Sequence, residues 1–190
     1  MRKSINDDVI DVQEWRRQQR KRLIATRMEI SQSDRETNSK QIMERLDQVL
    51  RSFEMRTVSI YWPFRGEPDL RPLARAIEAR GGLCCLPIVK ERGQPLVFKP
   101  WSSNTKMMRG VWNIPIPAEG NEVTPDVLIA PLVGFDRNNF RLGYGGGYFD
   151  RTLARIGSSA YAIGVGYESQ ELQTIYPQPF DVPMNDIIVV

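Results

Sequence analysis

Four glycines within five residues, Gly143, Gly145, Gly146 and Gly147, stand between Arg141 and Asp150 in the segment RLGYGGGYFDR. Glycines leave backbone N–H groups unobstructed, and a helix N-terminus directly after them adds positive potential, so the segment can cradle a polyphosphate. Arg141 supplies a guanidinium fork for phosphate oxygens. Asp150 stands where a carboxylate can hold Mg²⁺, and equally where an ordinary helix-start residue belongs. No Lys-Ser/Thr pair follows the glycines, so the pattern is neither the Walker loop nor a dinucleotide fingerprint. On spacing alone, a plain glycine-rich turn remains the equal alternative.

A second group of cations lies near the start of the chain. At 100° per residue, Arg16, Arg20, Leu23 and Arg27 fall within an arc of roughly 60° on one helix face. A solvated charge run separates basic from apolar side chains, whereas here they share a face, which directs some arginines toward the protein body and a bound anion. A solvent-facing basic helix and a nucleic-acid contact are the competing readings.

The chain's 190 residues contain no histidine. That excludes Ser-His-Asp and Cys-His nucleophilic catalysis and imidazole-bound zinc. Cys84 and Cys85 are adjacent within an apolar run, which suits buried thiols better than a mutual disulfide or a metal site. What remains is carboxylate, guanidinium, ammonium, phenol and backbone chemistry, the equipment for phosphates and Mg²⁺. The net charge of +3 and pI near 9.0 are modest for a nucleic-acid binder, and aromatic RNA-reading motifs are missing. No segment has the roughly 20 apolar residues of a spanning helix. The opening MRKSINDDVIDVQEW has no apolar core with a cleavage site, so no membrane partner and a cytoplasmic location are expected.

The elements that must position these groups read clearly. A basic helix is expected at about residues 12–28 and a second from Ser33 to Phe53. Strand Thr57–Trp62, helix Leu70–Arg80 ending at Gly81-Gly82, and strand Leu83–Val89 form a βαβ unit. Leu96–Trp101 reads as a further strand, Val127–Leu132 as a central buried one, Tyr148–Arg155 as a helix, and Tyr161–Tyr167 and Ile187–Val190 as two more strands. The expected fold is α/β: residues 1–190 as a single three-layer domain, with a largely parallel central sheet flanked by helices.

The order and spacing of RRQQR from Arg16, Glu67 after a strand, WNIP from Trp112, PLVGFD from Pro131, RLGYGGGYFDR from Arg141 and FDVPMNDI from Phe180 resemble the 5-formyltetrahydrofolate cyclo-ligase family. The resemblance covers nearly the whole chain. It implies ATP- and Mg²⁺-dependent cyclisation of 5-formyltetrahydrofolate to 5,10-methenyltetrahydrofolate, by a monomer or small homo-oligomer, with a non-catalytic folate- or nucleotide-binding paralogue as the alternative. It further implies that Arg16 and Arg20 contact ATP, as does the run Arg141, Leu142, Gly143, Tyr144, Gly145, Gly146, Gly147, Tyr148 and Phe149. Glu67, Trp112 and Tyr148 would meet the folate, Asp150 and Asp181 would hold Mg²⁺, and Glu67, Arg141 and Tyr148 would serve the chemistry. The chain departs from the family pattern at Arg16 (usually lysine), Phe149 (commonly tyrosine), Phe180 (usually histidine) and Asn185 (usually aspartate). Gly146 stands where members carry either lysine or glycine.

Overall fold

The computed structural model describes residues 10–53 and 57–190; residues 1–9, which include most of the stretch read above for a secretory signal, lie outside the described part. Two helices open it, α1 (Val12–Glu29) and α2 (Gln32–Leu50). Asp11 caps α1 by accepting from the backbone N–H groups of Gln13 and Glu14, and Ser31 caps α2 through Asp34 N, each satisfying orphan donors of a first turn. There follow β1 (Thr57–Ser59), α3 (Leu73–Ala79), β2 (Leu83–Ile88), β3 (Val97–Pro100), β4 (Met107–Arg109), β5 (Pro115–Pro117), β6 (Val127–Pro131), β7 (Gly134–Phe135), β8 (Arg141–Leu142), α4 (Tyr148–Ile156), β9 (Tyr161–Gly166) and β10 (Asp186–Val189).

Six strands form one sheet in the order β10-β9-β6-β1-β2-β3, parallel throughout except for β3, which runs antiparallel at one edge. The alternation of side chains along each strand sorts the core into two layers. Val58, Cys84, Leu86, Val127, Ile129, Ile163 and Val165 pack on one face with Ile42 and Leu46 of α2 and Leu73 and Ile77 of α3. Cys85, Leu128, Ala130 and Ala162 pack on the other with Leu153 of α4. These layers are the helix-flanked parallel sheet expected from the sequence, and the thiols of Cys84 and Cys85 are free and buried.

Helix α3 is shorter than its pattern, because Pro72 sits at its N-cap and the residues before it form a turn. Two hairpins were not visible in the sequence, β4 with β5 and β7 with β8. Their strands have two or three residues, too few to establish a period of two. Both matter for the site. The chain leaves β1 toward β2 on one side and later enters β6 on the other, so the sheet order reverses between β1 and β6. Ligands of open α/β sheets bind at the carboxyl ends of strands beside such a switch point.

Candidate active site

A cavity of about 370 Å³ opens there, and every residue expected from the sequence to form the site borders it. After β1 come Tyr61, Trp62, Phe64 and Glu67; β6 contributes Pro131; and the turn from β8 into α4 contributes residues 141–150. The hairpin of β4 and β5 adds Val111, Trp112, Ile114 and Ile116, making one wall apolar.

The glycine-rich turn is packed against α1. Arg20 Nε donates to Gly143 O at 2.8 Å, and a Cβ on Gly145 would stand 3.4 Å from the Arg20 guanidinium carbon. Burial, with Arg16 nearby, lowers the proton affinity of Arg20 from its ordinary value. Gly147 has φ +62°, the left-handed region that favours glycine, and a Cβ there would displace the Arg151 guanidinium, whose Nη1 would lie 2.8 Å away. A Cβ on Gly146 would meet the Tyr148 ring at 2.8 Å, which keeps the loop backbone close to that aromatic face.

Arg141 is buried, and burial depresses its proton affinity. Its Nη2 lies 3.3 Å from Asp150 Oδ2, and its guanidinium sits 4.8 Å from the Phe149 ring centroid. Among the described residues, Arg141 Nε and Asp150 Oδ1 are buried without a hydrogen-bond partner. An unpaired buried donor or acceptor costs on the order of 1–3 kcal/mol, a cost that a ligand group reaching either atom would offset. Leu142 borders the cavity but packs its side chain with Leu23, Val133 and Ile175 in a third apolar cluster under α1.

Arg16 is fully engaged. Its Nε donates to Ile175 O at 2.9 Å, Nη2 donates to Tyr176 O at 3.0 Å and pairs closely with Asp181 Oδ2, and Nη1 lies 3.3 Å from Asp181 Oδ1. Asp181 Oδ2 also accepts from Gln178 N at 2.6 Å. The pair therefore fastens α1 to the 175–181 loop at the cavity edge, and Oδ1 is the less occupied of the Asp181 oxygens. Phe180, next to it, is 69% exposed at the mouth.

Glu67 is 6% exposed. Oε1 accepts from Tyr144 OH at 2.8 Å, and Oε2 accepts from Phe64 N at 2.9 Å. Burial pushes its pKa up to about 7, against the opposing pull of Arg27 and these hydrogen bonds. Tyr144 thus belongs by its side chain to Glu67 rather than to the glycine turn that carries its backbone. Arg27, placed by the helical arc on the inward face but given no role there, is 1% exposed with Nη2 3.8 Å from Glu67 Oε1.

Trp112 is more than half exposed, and it and Asn113 both adopt left-handed backbone conformations, with φ +54° and +61°. Such conformations are costly for non-glycine residues and gather at functional sites. The Trp112 ring meets Tyr148 edge to face, with centroids 6.1 Å apart. Asn185, by contrast, borders no part of this cavity; its Oδ1 accepts from Ala162 N at 2.7 Å and its N–H donates to Ala162 O at 2.9 Å, joining β9 to the entry of β10.

The fold and cavity together define an α/β protein in which a glycine-rich turn and buried arginines adjoin an apolar, aromatic-walled compartment. A model of the 5-formyltetrahydrofolate cyclo-ligase family matches residues 12–190, and the chain belongs to that family. It is 28% identical over 145 residues to a 5-formyltetrahydrofolate cyclo-ligase of Haemophilus influenzae, covering 72% of this chain and 76% of the relative. It is 29% identical over 139 residues to the enzyme of that name from Escherichia coli K12, covering 70% and 76%. Among solved structures, the 5,10-methenyltetrahydrofolate synthetase of Aquifex aeolicus superposes with a TM-score of 0.79 at 26% identity, over 92% of this chain and 89% of that one. The protein carries 5-formyltetrahydrofolate cyclo-ligase activity, a ligase reaction of folate one-carbon metabolism, and the family uses ATP.

Proposed function

We propose that the cavity divides into a phosphate side and a folate side, and that its residues act by positioning and charge neutralisation in converting 5-formyltetrahydrofolate to 5,10-methenyltetrahydrofolate. The observation that carries this division is that Arg141 and Asp150, whose Nε and Oδ1 are buried without a partner among the described residues, border beside the glycine turn the same cavity that Glu67 and the aromatic wall border.

On the phosphate side, Arg20, Arg141 and the backbone of residues 143–147 hold the ATP phosphates. Arg20 commits only Nε among the described hydrogen bonds, leaving its remaining donors for oxygen ligands. Arg16 acts beside it, with its guanidinium fixed by Asp181. The donor set also fits Mg²⁺, a hard cation served by carboxylate oxygen, water and phosphate. Asp150 Oδ1, buried and unpartnered, and Asp181 Oδ1 are the oxygens that would hold it. Bound there, the ion would offset negative charge on the transferring phosphoryl group.

On the folate side, Trp112 and Tyr148 pack against the ring system, and Glu67 orients the substrate near N10 and the formyl group. Transfer of the γ-phosphoryl group to the formyl oxygen makes that oxygen a leaving group and releases ADP. N10 then bonds to the formyl carbon, which closes the five-membered ring, and loses its proton; departure of phosphate, breaking the carbon–oxygen bond, leaves the methenyl product. A carboxyl group poised near pH 7 suits the acceptance of that proton. Neither a histidine base nor a covalent nucleophile is required, and alignment supplies much of the rate. The site residues named here all lie on one chain, and a monomer or small homo-oligomer in the cytoplasm is the proposed form.

Purified protein with 5-formyltetrahydrofolate, Mg²⁺ and ATP is expected to develop the absorbance of the methenyl product, and no product without ATP. Glu67→Gln is expected to slow turnover; wild-type turnover in that variant would remove Glu67 from the chemistry.

A further inference from the structure

Arg27 is buried although its neighbours along α1 are exposed, and three elements converge on it. Its Nε donates to Arg65 O at 2.9 Å in the turn after β1, and Nη1 donates to Leu132 O at 2.8 Å just beyond β6. Nη2 donates to the Tyr144 hydroxyl, which in turn donates to Glu67 Oε1. A phenol hydroxyl has one proton to give and lone pairs to receive, so this arrangement gives the chain a direction: guanidinium to phenol to carboxylate. The Tyr144 ring also packs against Phe64, with centroids 5.9 Å apart, beside the N–H that binds the other Glu67 oxygen.

Tyr144 stands between Gly143, whose carbonyl Arg20 holds, and Gly145. Helix α1 therefore grips the glycine-rich turn at two adjacent residues, through Arg20 on the backbone and Arg27 on the phenol, two helical turns apart. The second grip is shared with Glu67. A shift of the turn that alters the phenol must disturb Glu67, and a change at Glu67 must pull on the turn.

We propose that Arg27 and Tyr144 are positioning residues that couple the two halves of the cavity, so that occupation of the folate side strengthens nucleotide binding on the glycine turn, and the converse. This rests on the reading of Glu67 as bordering the folate. Networks of this sort transmit a coupling that is reciprocal between the two ligands, and values of about 5- to 150-fold are typical. Buried polar networks are also strongly non-additive, because removing one member leaves its partners unsatisfied.

The test is the affinity of a non-hydrolysable ATP analogue with Mg²⁺, measured by calorimetry with and without saturating 5-formyltetrahydrofolate. Wild type is expected to bind the analogue at least about fivefold more tightly with folate present. Tyr144→Phe, which keeps the ring against Phe64 and removes only the hydroxyl, should bring that ratio to about one, and Arg27→Lys, which keeps the charge and loses the fork, should lower it too. A merely structural role would weaken both measurements together and leave the ratio intact. A wild-type ratio of one, or an unchanged ratio in a folded Tyr144→Phe protein, overturns the coupling. Unaltered folate affinity in Glu67→Gln would instead overturn the reading of Glu67 beneath it.

Discussion

Two carboxylates face one cavity and have been treated in opposite ways. Glu67 has a partner for each oxygen, a phenol on one and a backbone N–H on the other, with a buried guanidinium behind them. Asp150 has one oxygen near Arg141 and the other bare. The first is built before any ligand arrives; the second is left unfinished. The difference teaches where each ligand does its work. Prebuilt networks fix orientation, which suits a rigid ring system, whereas bare charges await a partner that brings its own, as phosphate and a divalent cation do.

The unfinished side should be the more sensitive to truncation. Arg141→Ala is expected to lower kcat/KM by about 10²- to 10³-fold, the usual cost of one preorganised donor to developing charge, and also to lower thermal stability, because Asp150 loses its ion-pair partner and Phe149 its stacked guanidinium. Steady-state kinetics well below the variant's melting temperature separates the two effects, and normal kinetics in the folded variant would erase the contrast.

The prebuilt side should instead show itself in the pH dependence of stability. Glu67 folds with its pKa raised from about 4.5 to about 7 by burial. Its contribution is therefore fully present below about pH 4.5 and is lost as pH rises to about 7, a change of roughly 3 kcal/mol, since each tenfold difference in proton affinity between the folded and unfolded chain is worth about 1.4 kcal/mol. Glu67→Gln has no proton to lose, so its stability relative to wild type should rise across that window. Denaturant titrations at several pH values would show parallel curves if burial of Glu67 carried no such cost.

Gly147 sharpens the comparison within the phosphate side. Gly147→Ala places a Cβ at positive φ and against Arg151, and should cost about 1–3 kcal/mol while raising KM for ATP more than for the folate. Equal effects on both substrates would deny the turn its specific role. Smallest in stability is Trp112→Ala at the exposed rim, expected within about 0.5 kcal/mol of wild type, with a several-fold rise in KM for the folate alone.

Much of this was legible in the chain. Strands such as Val127–Pro131 and Tyr161–Gly166 are apolar because both faces are covered, and that burial shows in sequence as a continuous run. The glycine turn declared itself by composition, and the arc of Arg16, Arg20, Leu23 and Arg27 gave the inward face of α1. What the sequence could not supply was partnership over long separations. That Arg16 ends on Asp181, and Arg27 on Tyr144 and Glu67, depends on how α1 lies against the loops that follow β1 and β6 and against the 175–181 loop. The same limit hid the function of Asn185, which lies at the joint of two strands rather than in the cavity, so this departure from the family pattern falls outside the chemistry. Phe180 is the departure that does stand at the mouth.

The neighbouring cysteines offer a use unrelated to catalysis. Cys84 points into the layer packed by α2 and α3, and Cys85 into the layer packed by α4. Both are buried, and burial drives both thiols upward, Cys84 to about 12, so neither reacts while its own layer stays shut. A single peptide thus holds one alkylation clock for each side of the sheet. If the two sulfurs label at the same rate under native conditions, the layers open together; if one labels first, the protein has two separately breathing halves and the faster thiol names which.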